Sequence, residues 1–292
     1  EYAKSSELSL RNLLSISDEY SILFLQGGAT HQFALIPMNF SNNGVLDYLV
    51  TGAWSKKASE YANKVANVNI VSDSSSNNFT NVADPKKWNI SDDPDYFFYC
   101  ANETVHGLEL HNPIESDSPV ICDMSSTIAS RPIDINKYDL VFAGAQKNLG
   151  IAGLTILIIK NKLLSVCNKE LLPMFDYSAH AEEASMLNTS PVFSWYVSGL
   201  IFDWITEQGG VGMMGKVNME KSSLLYNYID ESSFYSNPVS KPYRSWMNIP
   251  FILARDDLEN DFIQSAEDEG LFNLKGHRTV GGMRASVYNA MP

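Results

Sequence analysis

One lysine, Lys147, stands between two apolar runs in YDLVFAGAQKNLGIAGLTILIIK, residues 138–160. Residues 139–143 and 153–159 have the short, aliphatic, turn-bounded pattern of buried strands, and the segment between them is bracketed by Gly144 and Gly150. The amine therefore sits at the exit of a strand. Burial there disfavours the ammonium form, and a partly neutral lysine can attack a carbonyl carbon to form a Schiff base. The plainer alternative is a lysine whose head reaches water past the strand end. A second run, Val120–Asp123, ends in a carboxylate just before Met-Ser-Ser. Asp123 is either a helix cap or a functional group, because ligands of open α/β sheets gather at the carboxyl ends of strands.

A third segment offers a place for an anion. Residues 21–25 are strand-like, Gln26-Gly-Gly28 is a turn, and a helical pattern starts at Ala29. Free backbone N–H groups at a helix start favour an anion, and glycines let it approach the backbone. A Gly-Gly pair is by itself only a turn signal. Neither GxxxxGK[ST] nor GxGxxG occurs, so nucleotide binding lacks its usual support. Together the three segments suit pyridoxal phosphate, with a carboxylate for the pyridinium nitrogen, a lysine for the aldehyde and a helix start for the phosphate.

The elements that must position these groups alternate along the chain. Helices are expected over residues 1–14 and 55–65, and strands over 21–25, 67–71, 96–100, 120–123, 139–143 and 153–159, the rhythm of an α/β lobe with a mostly parallel sheet. Residues 72–95, rich in Ser, Asn, Asp and Pro, are expected to be loop. An amphipathic helix over 194–207 ends at Gly209-Gly210, and a helix over 213–229 leads into a smaller α+β lobe. That lobe has a strand over 245–253, a helix over 257–269 and a strand over 282–288. The division expected is 1–212 for the large cofactor-binding domain and 213–292 for the small one.

Lys275, His277, Arg278 and Arg284 cluster in a chain of formal net charge −13. They form either a solvated basic face or, with Gly276, Gly281 and Gly282 permitting tight turns, a convergent anion site in which arginine forks pair with carboxylate or phosphate. The net charge opposes nonspecific nucleic-acid binding. At 292 residues and 45% hydrophobic the chain can bury a large core. Its longest aliphatic run, 154–159 with one threonine, is too short for a bilayer, and no charged-then-apolar leader opens the sequence. Cys100, Cys122 and Cys167 lack CxxC spacing and suit buried free thiols of a reducing, cytoplasmic compartment. The five histidines show no HExxH spacing, so no metal site is expected.

The motifs FLQGGATHQFALIPMN, CANETVHGLE, FAGAQKNLGIAGLTILI, NTSPVFSWYVSGLIFDWI and GHRTVGGMRASVYNAMP resemble those of the phosphoserine aminotransferases, pyridoxal-phosphate enzymes of fold-type I. The resemblance spans nearly the whole chain. It implies that Lys147 forms the Schiff base and that Asp123 pairs with the pyridine nitrogen. It further implies that Trp54 stacks on the ring, that Thr104 bonds near the phenolic oxygen, and that Ala29, Thr30 and Gln146 hold the phosphate. Asn188 and Thr189 would reach the phosphate of a neighbouring subunit's cofactor, making the enzyme a homodimer with shared active sites. Arg284 would take the substrate carboxylate, and His277 with Arg278 the substrate phosphate in the partner's site. Thr30 stands where many members have arginine. The resemblance also implies a fragment, lacking an upstream His-Arg pair and a further helix after Pro292. The implied reaction moves an amino group from glutamate to 3-phosphohydroxypyruvate. The alternatives are another fold-type I enzyme, such as a cysteine desulfurase, or an inactive relative that keeps only the fold and the dimer surface.

Overall fold

The apolar runs of the first 160 residues build one sheet, and the computed structural model describes residues 1–42, 44–278 and 280–292. In chain order the strands are β1 (Tyr20–Gln26), β2 (Val45–Val50), β3 (Asn67–Asp73), β4 (Pro94–Cys100), β5 (Asn102–Glu103), β6 (Leu108–Glu109), β7 (Val120–Asp123), β8 (Leu140–Gly144), β9 (Leu154–Lys160), β10 (Tyr235–Ser236), β11 (Asn248–Leu253) and β12 (Met283–Ser286). The helices are α1 (Tyr2–Leu14), α2 (Ala29–Phe40), α3 (Ala53–Ala62), α4 (Asn161–Leu164), α5 (Tyr177–Glu182), α6 (Val192–Glu207), α7 (Gly210–Glu231) and α8 (Glu259–Asp268).

The main sheet runs β1-β9-β8-β7-β4-β2-β3. Strands β8, β7, β4, β2 and β3 pair in parallel, whereas β9 is antiparallel to both its neighbours. A short turn joins β8 to β9, and a connection that short admits only an antiparallel pair. Reversing β9 leaves β1 pointing the same way as β8, so the carboxyl ends of β1, β2, β4, β7 and β8 share one rim.

Both faces of the sheet are covered, which is why the strands read as continuous apolar runs. Alternate residues of β9 serve the two sides. Ile156 and Ile158 pack in a cluster with Leu10 and Leu13 of α1 and Phe202 of α6. Leu157 and Ile159 pack with Phe33 and Ile36 of α2 and Ala58 of α3. Beyond α7, the antiparallel sheet β10-β11-β12 carries its own core of Tyr226, Ile229, Phe251, Leu253 and Met283, with Phe262 of α8 against it.

Four differences from the sequence expectation have physical causes. Strand β2 was not expected, because Asp47 interrupts its apolar run. The buried carboxylate is satisfied from outside by Asn69 Nδ2 at 2.8 Å, Ser91 N at 3.0 Å and Ser91 Oγ at 2.7 Å. The expected loop 72–95 loses its ends to β3 and β4 and contains two short 3-10 turns at Ser74–Asn77 and Pro85–Lys87. Helix α6 begins at Val192, two residues early, and is not amphipathic: Val192 is 69% exposed, Phe193 70%, Tyr196 45% and Leu200 47%. Helix α7 starts at Gly210 rather than 213 and runs through residue 212 into the smaller sheet. Gly209, at φ 96, makes the break between α6 and α7, a left-handed conformation that glycine adopts without a Cβ penalty.

Candidate active site

Parallel pairing in register, with Asp123 opposite Phe142, brings the exits of β7 and β8 side by side. Asp123 is 8% exposed. It does not open a helix; the segment after it is a turn. Its Oδ1 accepts from Ser125 N at 2.9 Å and Ser125 Oγ at 2.6 Å, and Ser125 Oγ in turn accepts from Gly144 N at 3.1 Å. One serine thus ties the carboxylate to the end of the neighbouring strand. Burial pushes the Asp123 carboxyl up, opposed by the Ser125 hydrogen bonds and by the nearby Lys147 charge. A cation placed against its free face would favour the ionised form.

Lys147 lies in the turn that leaves β8. Its Nζ donates to Thr104 Oγ1 at 2.6 Å. Burial lowers its affinity for the proton, against the pull of Asp123, Cys100 and Glu103, and Arg284 adds to the lowering. The amine is therefore biased toward the neutral, nucleophilic state. Thr104 also meets the small lobe, for its carbonyl accepts from Arg284 Nη1 at 3.1 Å.

The expected residues Ala29, Thr30, Trp54, Thr104, Asp123, Gln146 and Lys147 line a single pocket on the strand-end rim. Helix α2 opens at Gly28 with no side-chain cap and no acidic residue in its first turn. No side chain competes for the N–H groups of Ala29 and Thr30, two residues that line the pocket, which suits an anion there. The indole of Trp54 supplies a flat wall, and its Nε1 is buried without a partner among the described residues. Anion-binding helix start, aromatic wall, buried carboxylate and depressed amine are the set that a phosphorylated pyridine aldehyde requires.

Other expected residues lie outside this pocket. Asn188 donates to Gln26 Oε1 at 3.0 Å, and Asn188 and Thr189 border an apolar cleft with Tyr2, Val192, Phe193 and Tyr196. His277 and Arg278 are exposed, on the glycine-rich turn where Gly276 N donates to Gly282 O at 2.8 Å. Gly281 and Gly282 there have φ of +76° and +60°, the backbone that the glycines were expected to permit. Arg284 is half-buried, and its Nε is buried and unpartnered among the described residues.

Gly28, from the glycine turn expected to admit an anion, also lines the pocket; Phe33, Asn102, Ser125 and Ser126 line it too and were not foreseen. Ser125 had a local signal, since a serine two residues after Asp closes an Asx-type turn. His106 had none. Its Nδ1 accepts from Ala53 N at 3.4 Å, and burial, with the charge of His277, holds its pKa down to about 4.

Comparison with known proteins agrees with this geometry. The aminotransferase class-V family model matches residues 2–292. The phosphoserine aminotransferase of Pseudomonas fluorescens is 48% identical over 291 residues, covering 99% of this chain and 81% of that protein. The solved phosphoserine aminotransferase of Bacillus circulans subsp. alkalophilus superposes with a TM-score of 0.97 at 39% identity, over 100% of this chain and 81% of that one. A pyridoxal-phosphate-bound phosphoserine aminotransferase from Trichomonas vaginalis gives 0.96 at 37% identity, over 100% and 84%. With a pocket of this composition and relatives of this closeness along its whole length, the chain belongs to the phosphoserine aminotransferases, within aminotransferase class V.

Proposed function

We propose that this chain uses pyridoxal phosphate to transfer the amino group of L-glutamate to 3-phosphohydroxypyruvate, giving O-phospho-L-serine and 2-oxoglutarate in serine biosynthesis. The observation that carries the proposal is the convergence of Lys147, Asp123 and the uncapped start of α2 on one pocket. When bound, pyridoxal phosphate supplies an aldehyde for amino exchange and a ring that takes up electrons from the substrate's α-carbon.

The chain's own groups divide the remaining work. Backbone N–H groups at Ala29 and Thr30, with Gln146, would hold the phosphate, and the Trp54 indole would stack on the ring. The Asp123 carboxylate would pair with the ring nitrogen and favour a proton on it. Lys147 Nζ would anchor the cofactor's aldehyde and, as a free amine, would serve as the base for the substrate's α-proton, with Thr104 Oγ1 steering it through the 2.6 Å contact. Arg284 pairs with the substrate carboxylate, and its unpartnered Nε supports that assignment.

Asn188, Thr189, His277 and Arg278 we assign to the active site of a second copy, which makes the homodimer the working unit. The apolar cleft beside Asn188 and the exposed Val192 and Phe193 support it. We divide the chain at residues 212 and 213 into the cofactor-binding and smaller domains, and place it in the cytoplasm because its three cysteines are buried free thiols. Burial raises the pKa of all three, which argues against a desulfurase, whose thiol must ionise readily. No helix among the described residues is long and apolar enough to cross a membrane.

The test is phosphoserine formation from the two substrates by the pyridoxal-phosphate-loaded protein, beside borohydride reduction of the bound cofactor. Turnover, with reduction fixing the cofactor to Lys147, is the expected result. Cofactor bound at Lys147 with no transamination of phosphorylated substrates would overturn the substrate assignment, and no fixation at Lys147 would overturn the site.

A further inference from the structure

The first turn of α3 carries Trp54, and its own segment caps only the backbone before it: Ser55 Oγ accepts from Thr51 N at 2.9 Å and Gly52 N at 3.1 Å, leaving the N–H groups of Trp54 and Ser55 without a local acceptor. Gly52 precedes the helix and has no side chain to offer. The acceptor for those two comes from β5. Glu103 is fully buried, and its two carboxylate oxygens receive Trp54 N at 2.9 Å, Ser55 N at 2.8 Å and Ser55 Oγ at 2.5 Å. The approach is so close that a Cβ on Gly52 would stand 2.4 Å from the Glu103 side chain. A carboxylate at a helix start is favoured by the free N–H groups and by the helix dipole.

Trp54 depends on this contact more than an ordinary core aromatic would. Its indole N–H has no partner among the described residues. Its ring meets Phe33 at 6.5 Å between centroids and Lys57 Nζ at 5.6 Å, both loose contacts. The height and tilt of the indole are therefore inherited from the backbone at residues 52–55, where Ser55 Oγ holds Gly52 N, His106 Nδ1 holds Ala53 N, and Glu103 holds Trp54 N and Ser55 N. The next residue, Thr104, holds Lys147 Nζ through its hydroxyl and Arg284 through its carbonyl. A single dipeptide thus gauges the distance between the aromatic wall and the reactive amine.

We propose that Glu103 is a positioning residue of the reaction: as the cap of α3 it sets the pose of the Trp54 ring over the cofactor, relative to Lys147. The inference rests on the pocket's being the pyridoxal-phosphate site. Glu103 is not among the residues that line the pocket. Its carboxylate must stay in place while α3 stays docked; burial pushes its pKa up, and the three hydrogen bonds it accepts oppose that shift without cancelling it.

The experiment titrates pyridoxal phosphate into the parent protein and into Glu103→Gln, Trp54→Ala and the double variant. The readouts are the dissociation constant and the visible circular dichroism of the bound cofactor. Glutamine keeps the size but presents an NH₂ where the Trp54 or Ser55 N–H needs an acceptor. Glu103→Gln should weaken cofactor binding by roughly tenfold, the size of one charge-assisted hydrogen bond, and diminish the induced dichroism. In the Trp54→Ala background the same change should add almost nothing, because the two residues act as a unit. Ser55→Ala removes the hydroxyl that donates to Glu103 and accepts from Thr51 N and Gly52 N, and leaves the carboxylate with the Trp54 and Ser55 N–H groups, so it should shift both readouts in the same direction. Additive effects of Glu103→Gln and Trp54→Ala would overturn the proposal. So would unchanged dichroism in Ser55→Ala, which remains decisive if Glu103→Gln fails to fold. A parent protein that binds no cofactor would overturn the site assignment itself, whereas a parent that binds with variants indistinguishable from it would overturn this inference alone.

Discussion

Replacing Asp123 by Asn removes one negative charge from the pocket and keeps the shape of the side chain. Both hydrogen bonds from Ser125, the N–H at 2.9 Å and the hydroxyl at 2.6 Å, fall on Oδ1. An asparagine that preserves them must turn its carbonyl oxygen to Ser125 and its NH₂ into the pocket. A protonated pyridine nitrogen then meets a second donor where it had an anionic acceptor. The loss compares with that of one preorganised electrostatic contact, about 2.7–4 kcal/mol, or roughly a hundred- to a thousandfold in rate. Stability should not fall with it. Asp123 is 8% exposed and the dominant influence on its carboxyl is burial, so a neutral amide removes a desolvation cost. The assay is a single-turnover reaction of the loaded protein with glutamate, followed through the cofactor's absorption, beside a thermal melt of the unloaded protein. The expected outcome is a rate constant lower by at least about a hundredfold with a melting temperature unchanged or raised. A rate equal to the parent's within error, in a folded protein, would show that Asp123 merely closes the turn at Ser125.

Lys147→Ala should abolish transamination and borohydride fixation while leaving the fold intact, since the lost contacts are one hydrogen bond to Thr104 and a buried amine already biased to neutrality; turnover above background in the purified variant refutes it. Arg284→Ala should raise KM for glutamate and for phosphorylated substrates alike, by about ten- to a hundredfold. Arg278→Ala should affect the phosphorylated ones selectively, and equal losses at Arg278 would end that division of labour. His106 has a folded pKa of about 4 against an ordinary 6.5, so between those pH values the unfolded chain binds the extra proton and stability must rise with pH. The urea midpoint should therefore fall as pH drops from 6.5 to 4, and His106→Asn should flatten that decline; an unchanged slope counts against the assignment.

Much of the site was legible because its chemistry is written in short segments. The strand runs ending at Asp123 and before Lys147, and the glycine turn opening α2, each carry their own periodicity and their own punctuation, and neighbours within a few residues impose them. Which strands lie side by side is not local. The order β1-β9-β8-β7-β4-β2-β3 follows from covering both faces of the sheet with helices, and it alone makes the exits of β7 and β8 adjacent. The buried Asp47 hid β2 from a pattern-based reading, because its partners Asn69 and Ser91 lie on other elements. Glu103 was equally silent. In Asn102-Glu-Thr104 it has the look of an ordinary turn acid, and its meaning comes from Trp54 and Ser55, 49 and 48 residues away. The sequence by itself determined which residues could do the chemistry. Only the tertiary structure decided how far apart they stand and what holds them there, because those distances depend on hydrogen bonds and packing between segments that the chain does not place next to one another.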